Sequence, residues 1–284
     1  MSTYTQVRSR LSDSRTRRLI TEFGYYGVAV LVAGAFLAPL LWSVVRSFSD
    51  PLHGWAPTSR YYDELWTAGR GLGHYAANSL IVAVSTTVLT LLLSTLAGYA
   101  LARTKFPGQN IVFAAMLLPF MVPYQGIMVP IYTIMAKLGL VNSLVGLVLI
   151  YTSFMMPFSI FLMRNSFLAI PGEMEEAAIM DGASMFQMLT RVFLPLVVPG
   201  LATVALYAFM YGWSDLLAAL IMLNNDRNFT LPLALGGLQQ GDYGAIDLGV
   251  LEAGAIVSMI PCIVLFLILQ RYYIRGIAAG AIKL

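Results

Sequence analysis

One acid stands alone in the apolar segment 195–223: Asp215, preceded by Tyr207, Tyr211 and Trp213. A carboxylate at such a position has to face protein donors or water, because lipid offers neither. Asp215 can accept hydrogen bonds from the hydroxyls of a polar solute while the three aromatic rings offer flat faces to a sugar ring. The same residues also fit an acid satisfied by a neighbouring helix beside an interfacial Trp. Glu252, near the outer end of the apolar run 247–270, is a second and similar acid. Other chemistry is missing. No Lys follows Gly and precedes Ser or Thr, so the phosphate-binding loop of an ATPase is absent. His53 and His74 share an outer stretch without HExxH spacing, and there is no GxSxG elbow, so neither a metal centre nor a hydrolase site is expected. The single cysteine, Cys262, excludes an internal disulfide.

The elements that must hold these residues are membrane spans. Of 284 residues 58% are hydrophobic and 11% charged, with mean hydropathy +0.76, far from soluble usage. A span needs about 20 apolar residues, and charge-poor stretches lie near 23–45, 77–101, 110–134, 142–163, 195–223 and 247–270. An all-α, polytopic chain with six transmembrane helices follows. If the fifth helix starts at Pro199, Asp215 lies about 24 Å along it, in the outer half of the bilayer. Twelve of the seventeen Lys and Arg, among them Arg8, Arg10, Arg15, Arg17, Arg18, Arg103, Lys105, Arg164 and Arg191, fall on the side that carries the termini. The positive-inside rule therefore places both termini in the cytoplasm, and the basic balance needs no nucleic-acid partner. Residues 1–22 read as a flexible cytoplasmic arm that can rest on anionic membrane lipid, and 276–284 as a cytoplasmic tail. The outer loop 46–76, with Trp55, Tyr61, Tyr62 and Trp66, reads as interfacial and partly folded. Pro119, Pro123, Pro130 and Pro157 predict kinked spans.

The cytoplasmic segment 170–195 carries helix punctuation. Pro171 suits a helix start, Glu173, Glu175 and Glu176 lie where the helix dipole favours anions, and Gly182 suits a helix end. Ser184 and Gln187 have capping-box spacing, which predicts a second helix through Met185, Phe186, Met188, Leu189 and Val192 toward Pro195. A helix-turn-helix with acids on one side and Met, Phe and Leu on the other can dock on a partner protein.

This segment, Glu176-Ala177-Ala178 followed by Asp181-Gly182-Ala183 and then Leu194-Pro195, resembles the EAA loop of ABC importer permeases. The carbohydrate-importer branch is resembled further at Gly98-Tyr99-Ala100-Leu101-Ala102-Arg103 with Phe106-Pro107-Gly108, at Val129-Pro130-Ile131-Tyr132, at Ile170-Pro171, and at Ile260-Pro261 through Arg275-Gly276 to Lys283. The resemblance covers roughly residues 75–284 and is greatest to the six-span, maltose-type permease of the cell inner membrane. It implies a type I ABC importer permease fold, with a transport core over 75–275 and an extra first helix, 23–45, that wraps a second permease subunit. It also implies two ATP-binding subunits that hold ATP and Mg, leaving this chain without a cofactor, and an extracytoplasmic solute-binding protein. Glu176, Ala177, Ala178, Asp181, Gly182 and Ala183 are then the residues that couple to the ATP-binding subunit. Where relatives often read Trp-Asn-Glu or Trp-Asn-Asp, this chain has Trp213-Ser214-Asp215, keeping the aromatic and the acid without the amide.

Two other classes are weaker expectations. A stand-alone secondary transporter needs coupling charges at mid-membrane and usually a repeated half, and a membrane enzyme needs convergent catalytic groups within the spans. Neither is visible. The expected solute is a sugar or oligosaccharide, with a polyol or glycerol phosphate as the alternative.

Overall fold

The computed structural model describes residues 2–50, 55–240 and 247–281, with side chains over 24–50, 55–239 and 247–272. Pro51, His53, Gly241, the basic side chains of the first 22 residues, Arg275 and Lys283 lie outside the described residues. The chain is almost entirely helical. Helix α1 (Ser2–Ser47) leads into a two-residue hairpin, β1 (Ser49–Asp50) and β2 (Ala56–Pro57), paired antiparallel. Then follow α2 (Arg60–Thr67), α3 (Leu72–Arg103), α4 (Gln109–Leu117), α5 (Met128–Lys137), α6 (Leu144–Leu168), α7 (Gly172–Met180), α8 (Met185–Gln187), α9 (Leu194–Leu196), α10 (Val198–Ser214), α11 (Leu217–Met222), α12 (Leu231–Gln240) and α13 (Leu248–Ala281).

Four helices are each long and apolar enough to cross a membrane alone: residues 24–47, α3, α6 and α13 over 248–272. Two bent helix pairs pass the same test only when each pair is taken together. The segments Gln109–Met121 and Tyr124–Lys137 meet at 93°, and Met185–Leu196 and Val198–Ser214 at 78°. The prolines explain both breaks. Pro119 and Pro123 open two 3-10 turns, Leu118–Met121 and Tyr124–Ile127, around the extended Val122, and Pro199, in the first turn of α10, has no N–H to continue the ladder from α9 across Val197. Pro157 and Pro261, by contrast, sit inside unbroken helices.

Two expectations change. Residues 2–22 continue α1 as helix rather than forming a flexible arm, since no Gly or Pro interrupts the chain before Gly24. The segment 195–223 is not one helix, because α10 stops at Ser214 and Asp215 is extended at φ −70, ψ 129. Part of the stretch 46–76 is folded: Tyr61 and Leu65 of α2 pack with Leu72, Phe209, Trp213 and Val250.

Helix α3 shows how this sequence is built for lipid. Its exposed stripe is Ile81, Val84, Val88, Leu92 and Leu96, while its buried stripe is Ser79, Ala83, Thr86, Thr90, Ser94 and Gly98. Apolar residues out and small residues in reverse the soluble pattern and let backbones approach. A Cβ on Gly98 would lie 2.7 Å from Cβ of Met163 on α6, and one on Gly212 of α10 would lie 3.0 Å from Cα of Ala83. Helices α3, α6 and α10 thus form one close-packed body. Residues 24–42 of α1 are exposed throughout, and α1 touches the body along α13.

Candidate functional site

Two clusters of polar side chains are held by this frame. The first is the loop after α6. Pro171 starts α7, and Asp181 ends it; Gly182 then takes φ +74, donating its N–H to Ile179 O at 2.9 Å, while Ala183 N–H reaches Ala178 O at 3.0 Å. Satisfying the last carbonyls of α7 in this way requires the left-handed conformation that glycine adopts at no steric cost. Ser184 then caps α8 with the expected box: its N–H donates to Gln187 Oε1 at 2.9 Å, and Gln187 N–H to Ser184 Oγ at 3.3 Å. Beyond Gln187 the helix widens into a π segment, Met188–Phe193.

The helix-turn-helix read from the sequence is therefore present, but its faces divide differently. Glu176, Ala177, Asp181 and Gly182 are exposed and Ala183 is half-buried, whereas Ala178 is buried at 8% exposure among Met188, Leu189, Phe193 and Phe167. Ala178 thus packs the two halves of the loop together. Met188 and Leu189 also turn inward, while Met180 (87% exposed), Ile179, Met185 and Phe186 (75%) point away from the protein beside the acids. Large apolar side chains this exposed on a charged loop make an apolar patch beside the acids.

A residue noted in the sequence as a positive charge and as the end of the Gly98–Arg103 stretch, with no role of its own, holds this loop. Arg103, the last residue of α3, donates from Nη2 to Phe167 O and Ile170 O, both at 2.6 Å, and from Nη1 to Glu175 Oε2 at 3.1 Å. Its guanidinium carbon lies 4.9 Å from the Phe193 ring centroid. No helical period or motif marks this role; a lone Arg at the end of an apolar span was the available signal.

The second cluster surrounds Asp215 at the break after α10. Oδ2 accepts from Ala218 N–H at 2.9 Å and from the Tyr151 hydroxyl at 2.9 Å, and Tyr124 OH donates to the same carboxylate at 3.1–3.2 Å. Tyr211 packs edge-on to Tyr124 and Tyr151, and Phe154 edge-on to Tyr124. Three donors and a helix start explain why the backbone turns here: the carboxylate gains more from capping α11 than a continued helix would give. Tyr124, Tyr211, Phe154, Ser153, Pro119 and Pro157 help to line an adjoining cavity of about 580 Å³ whose lining residues carry no charge.

Of the five residues expected on a path, the structure brings together Asp215 and Tyr211 only. Trp213 is buried on the other side of α10, donating Nε1–H to Ser258 O at 2.9 Å and stacking on Phe209. Tyr207 is exposed and packs edge-on to Phe158. Glu252 is half-buried on α13 between the core residues Val250 and Ala253. Tyr124 and Tyr151 were missed, although a tyrosine deep in an apolar run needs an acceptor for its hydroxyl. Elsewhere, Asn142 Oδ1 accepts from the N–H groups of Asn224 and Asn225, and Gly236, Gly237 and Gln239 belong to α12.

Known proteins resemble this chain in sequence and in fold. The probable ABC transporter permease protein YurM of Bacillus subtilis is 38% identical over 95% of this chain and 91% of its own. The trehalose/maltose transport system permease protein MalG of Thermococcus litoralis is 32% identical over 90% and 94%. A crystal structure of a bacterial ABC transporter involved in the import of the acidic polysaccharide alginate contains a chain that superposes with TM-score 0.73 at 23% identity, over 91% of this chain and 98% of that one. Residues 90–279, which include both clusters, match the model of the binding-protein-dependent transport system inner membrane component, and the chain belongs to that family.

Proposed function

We propose that this chain is the permease subunit of an ATP-driven importer and forms the membrane path for a neutral sugar or oligosaccharide. The observation that carries the reading is the outward set on the α7–α8 turn: Glu176, Ala177, Asp181 and Gly182 flanked by Met180 and Phe186, apolar groups that gain from cover. A separate ATP-binding subunit covers them, binding ATP and Mg; two such subunits, a second permease and an extracytoplasmic solute-binding protein complete the complex. Each bent helix pair counts as one span, giving six, with both termini in the cytoplasm as the Lys and Arg distribution favours. Closure of the ATP-binding subunits pushes the loop, and the spans rock between inward- and outward-facing states.

The sugar reading draws on the trehalose/maltose relative and on the uncharged, aromatic lining of the cavity beside Asp215, which suits the apolar faces and hydroxyls of a sugar ring better than a phosphate. The test is affinity purification of the tagged chain from its native membrane, comparing the parent with Gly182→Asp. Co-purifying ATP-binding and permease subunits, lost from the variant at normal chain abundance, support the reading. A chain that purifies alone from both would overturn it.

A further inference from the structure

Arg103 touches the end of α6, α7 and the π segment that follows α8. Its Nη2 closes the C-terminal carbonyls of the α6 end at Phe167 and Ile170, its Nη1 pairs with Glu175 on α7, and its face covers Phe193 in the π segment. The pair is sheltered, with side-chain exposures of 10% for Arg103 and 25% for Glu175. Two influences stabilise this cation: the carboxylate and the negative end of the α6 dipole. We propose that Arg103 is a positioning residue that makes α3, the end of α6 and the loop α7–α8 move as one body, so that displacement of the loop by a partner reaches the spans. The proposal rests on the docking reading above.

The chemistry demands a planar fork. A lysine at 103 keeps the charge and three donors, but all three leave one nitrogen, which cannot reach Glu175 and the two carbonyls as the spread Nη1 and Nη2 do, nor lay a planar face over Phe193. Exchanging the charges, Arg103→Glu with Glu175→Arg, leaves an anion facing the carbonyls of Phe167 and Ile170, so it restores the ion pair but not the joint. Arg164 supplies a control. It donates from Nε to Leu101 O at 3.2 Å and lies over Phe113, bracing α6 to α3 and α4 without touching α7 or α8.

The experiment uses the assembled complex from its native membrane, with Cys262→Ser in this chain and spin labels at Met174→Cys and Leu92→Cys, two exposed positions on α7, away from the docking set, and on α3. The distance distribution is recorded without nucleotide and with ATP plus vanadate. In the parent and in Arg164→Lys it stays narrow and common to both conditions. In Arg103→Lys and in the charge exchange it broadens and shifts with nucleotide, the detached population rising about tenfold for a lost charge-assisted bond. A distribution in Arg103→Lys indistinguishable from the parent overturns the proposal. If Arg103→Lys does not assemble, Glu175→Gln decides: broadening supports the joint, and an unchanged distribution overturns it. Failure of the docking reading looks different, since the ATP-binding subunit would then be absent from the parent complex whatever residue stands at 103.

Discussion

Asp215→Ala should loosen the whole outer half of the bundle, and the structure sets the size of the effect. Removing the carboxylate leaves the buried Tyr151 hydroxyl and the Ala218 N–H without their acceptor. Each such loss costs about 1–3 kcal/mol. Tyr124 is half-buried at the cavity wall and can turn to water there, so its loss adds little. The total is about 2–6 kcal/mol, and near the middle of that range, at roughly 2–4 °C per kcal/mol, the midpoint falls by about 8–16 °C. Asp215→Asn keeps an oxygen for Ala218 but exchanges charge-assisted bonds for neutral ones, so it should cost about 1–2 kcal/mol. The single cysteine provides the assay: Cys262 is half-buried in a cavity with Trp213 and Ser258, and a fluorogenic maleimide labels it as α13 separates on heating in detergent. An Asp215→Ala midpoint within about 2 °C of the parent would refute the reasoning, because a carboxylate that fixes the α10–α11 break cannot be removed silently.

Further substitutions probe the frame and the loop. Gly98→Val places a methyl-bearing Cβ against Met163 and Arg164 N; it should cost about 1–3 kcal/mol by overpacking, whereas Gly34→Ala, with nothing within 4 Å, should leave the same thiol-labelling midpoint unchanged. Ser184→Ala removes the cap of α8 and should cost about 1 kcal/mol locally, read as faster hydrogen exchange at Gln187 with the global midpoint little altered. Trp213→Phe deprives Ser258 O of its donor and should cost about 1 kcal/mol while leaving solute affinity of the complex intact; a changed affinity would return Trp213 to the path.

What the sequence revealed and what it hid follow from the range of the forces involved. Local signals worked. The end of α7 at Gly182 and the Ser184–Gln187 box depend on residues within three or four positions, and both were visible in order and spacing. Membrane character was also plain, since it depends on composition. The partners of Asp215 were hidden, because Tyr124 and Tyr151 reach it across 91 and 64 residues of chain, a separation that no periodicity encodes. Trp213 was misplaced for a related reason. Two residues before Asp215 on a helix is about 200° around the axis, so the acid and the indole could not share a wall while α10 remained helical. Ala178 shows the same geometry at close quarters: within one run of small residues, only the structure says which Cβ faces the core.

The two tyrosines on Asp215 should not be equivalent, and their difference separates packing from adaptability. Tyr151 is fully buried on α6, a helix locked to α3 by the approach at Gly98, and its hydroxyl sits 2.9 Å from Oδ2. Tyr124 lies in the 3-10 turn of a span bent by 93°, is half-buried at the cavity, and shares longer bonds of 3.1 and 3.2 Å between the two oxygens. Tyr151→Phe therefore removes a fully sheltered donor from Oδ2, which keeps only Ala218 N–H and the longer bond from Tyr124, and should cost about 1.5–3 kcal/mol, as hydrogen bonds to charged groups do. Tyr124→Phe lets cavity water replace the phenol and should cost about 0.5 kcal/mol, near the average for interhelical hydrogen bonds in membranes. In the Asp215→Asn background both penalties should shrink, Tyr151 by more, since only its bond is fully sheltered. Thiol-labelling midpoints for the four single and double variants measure this directly. If Tyr124→Phe proves as destabilising as Tyr151→Phe, the bent span is bonded into the body as firmly as α6, and a hinge at Pro119–Pro123 has to be abandoned.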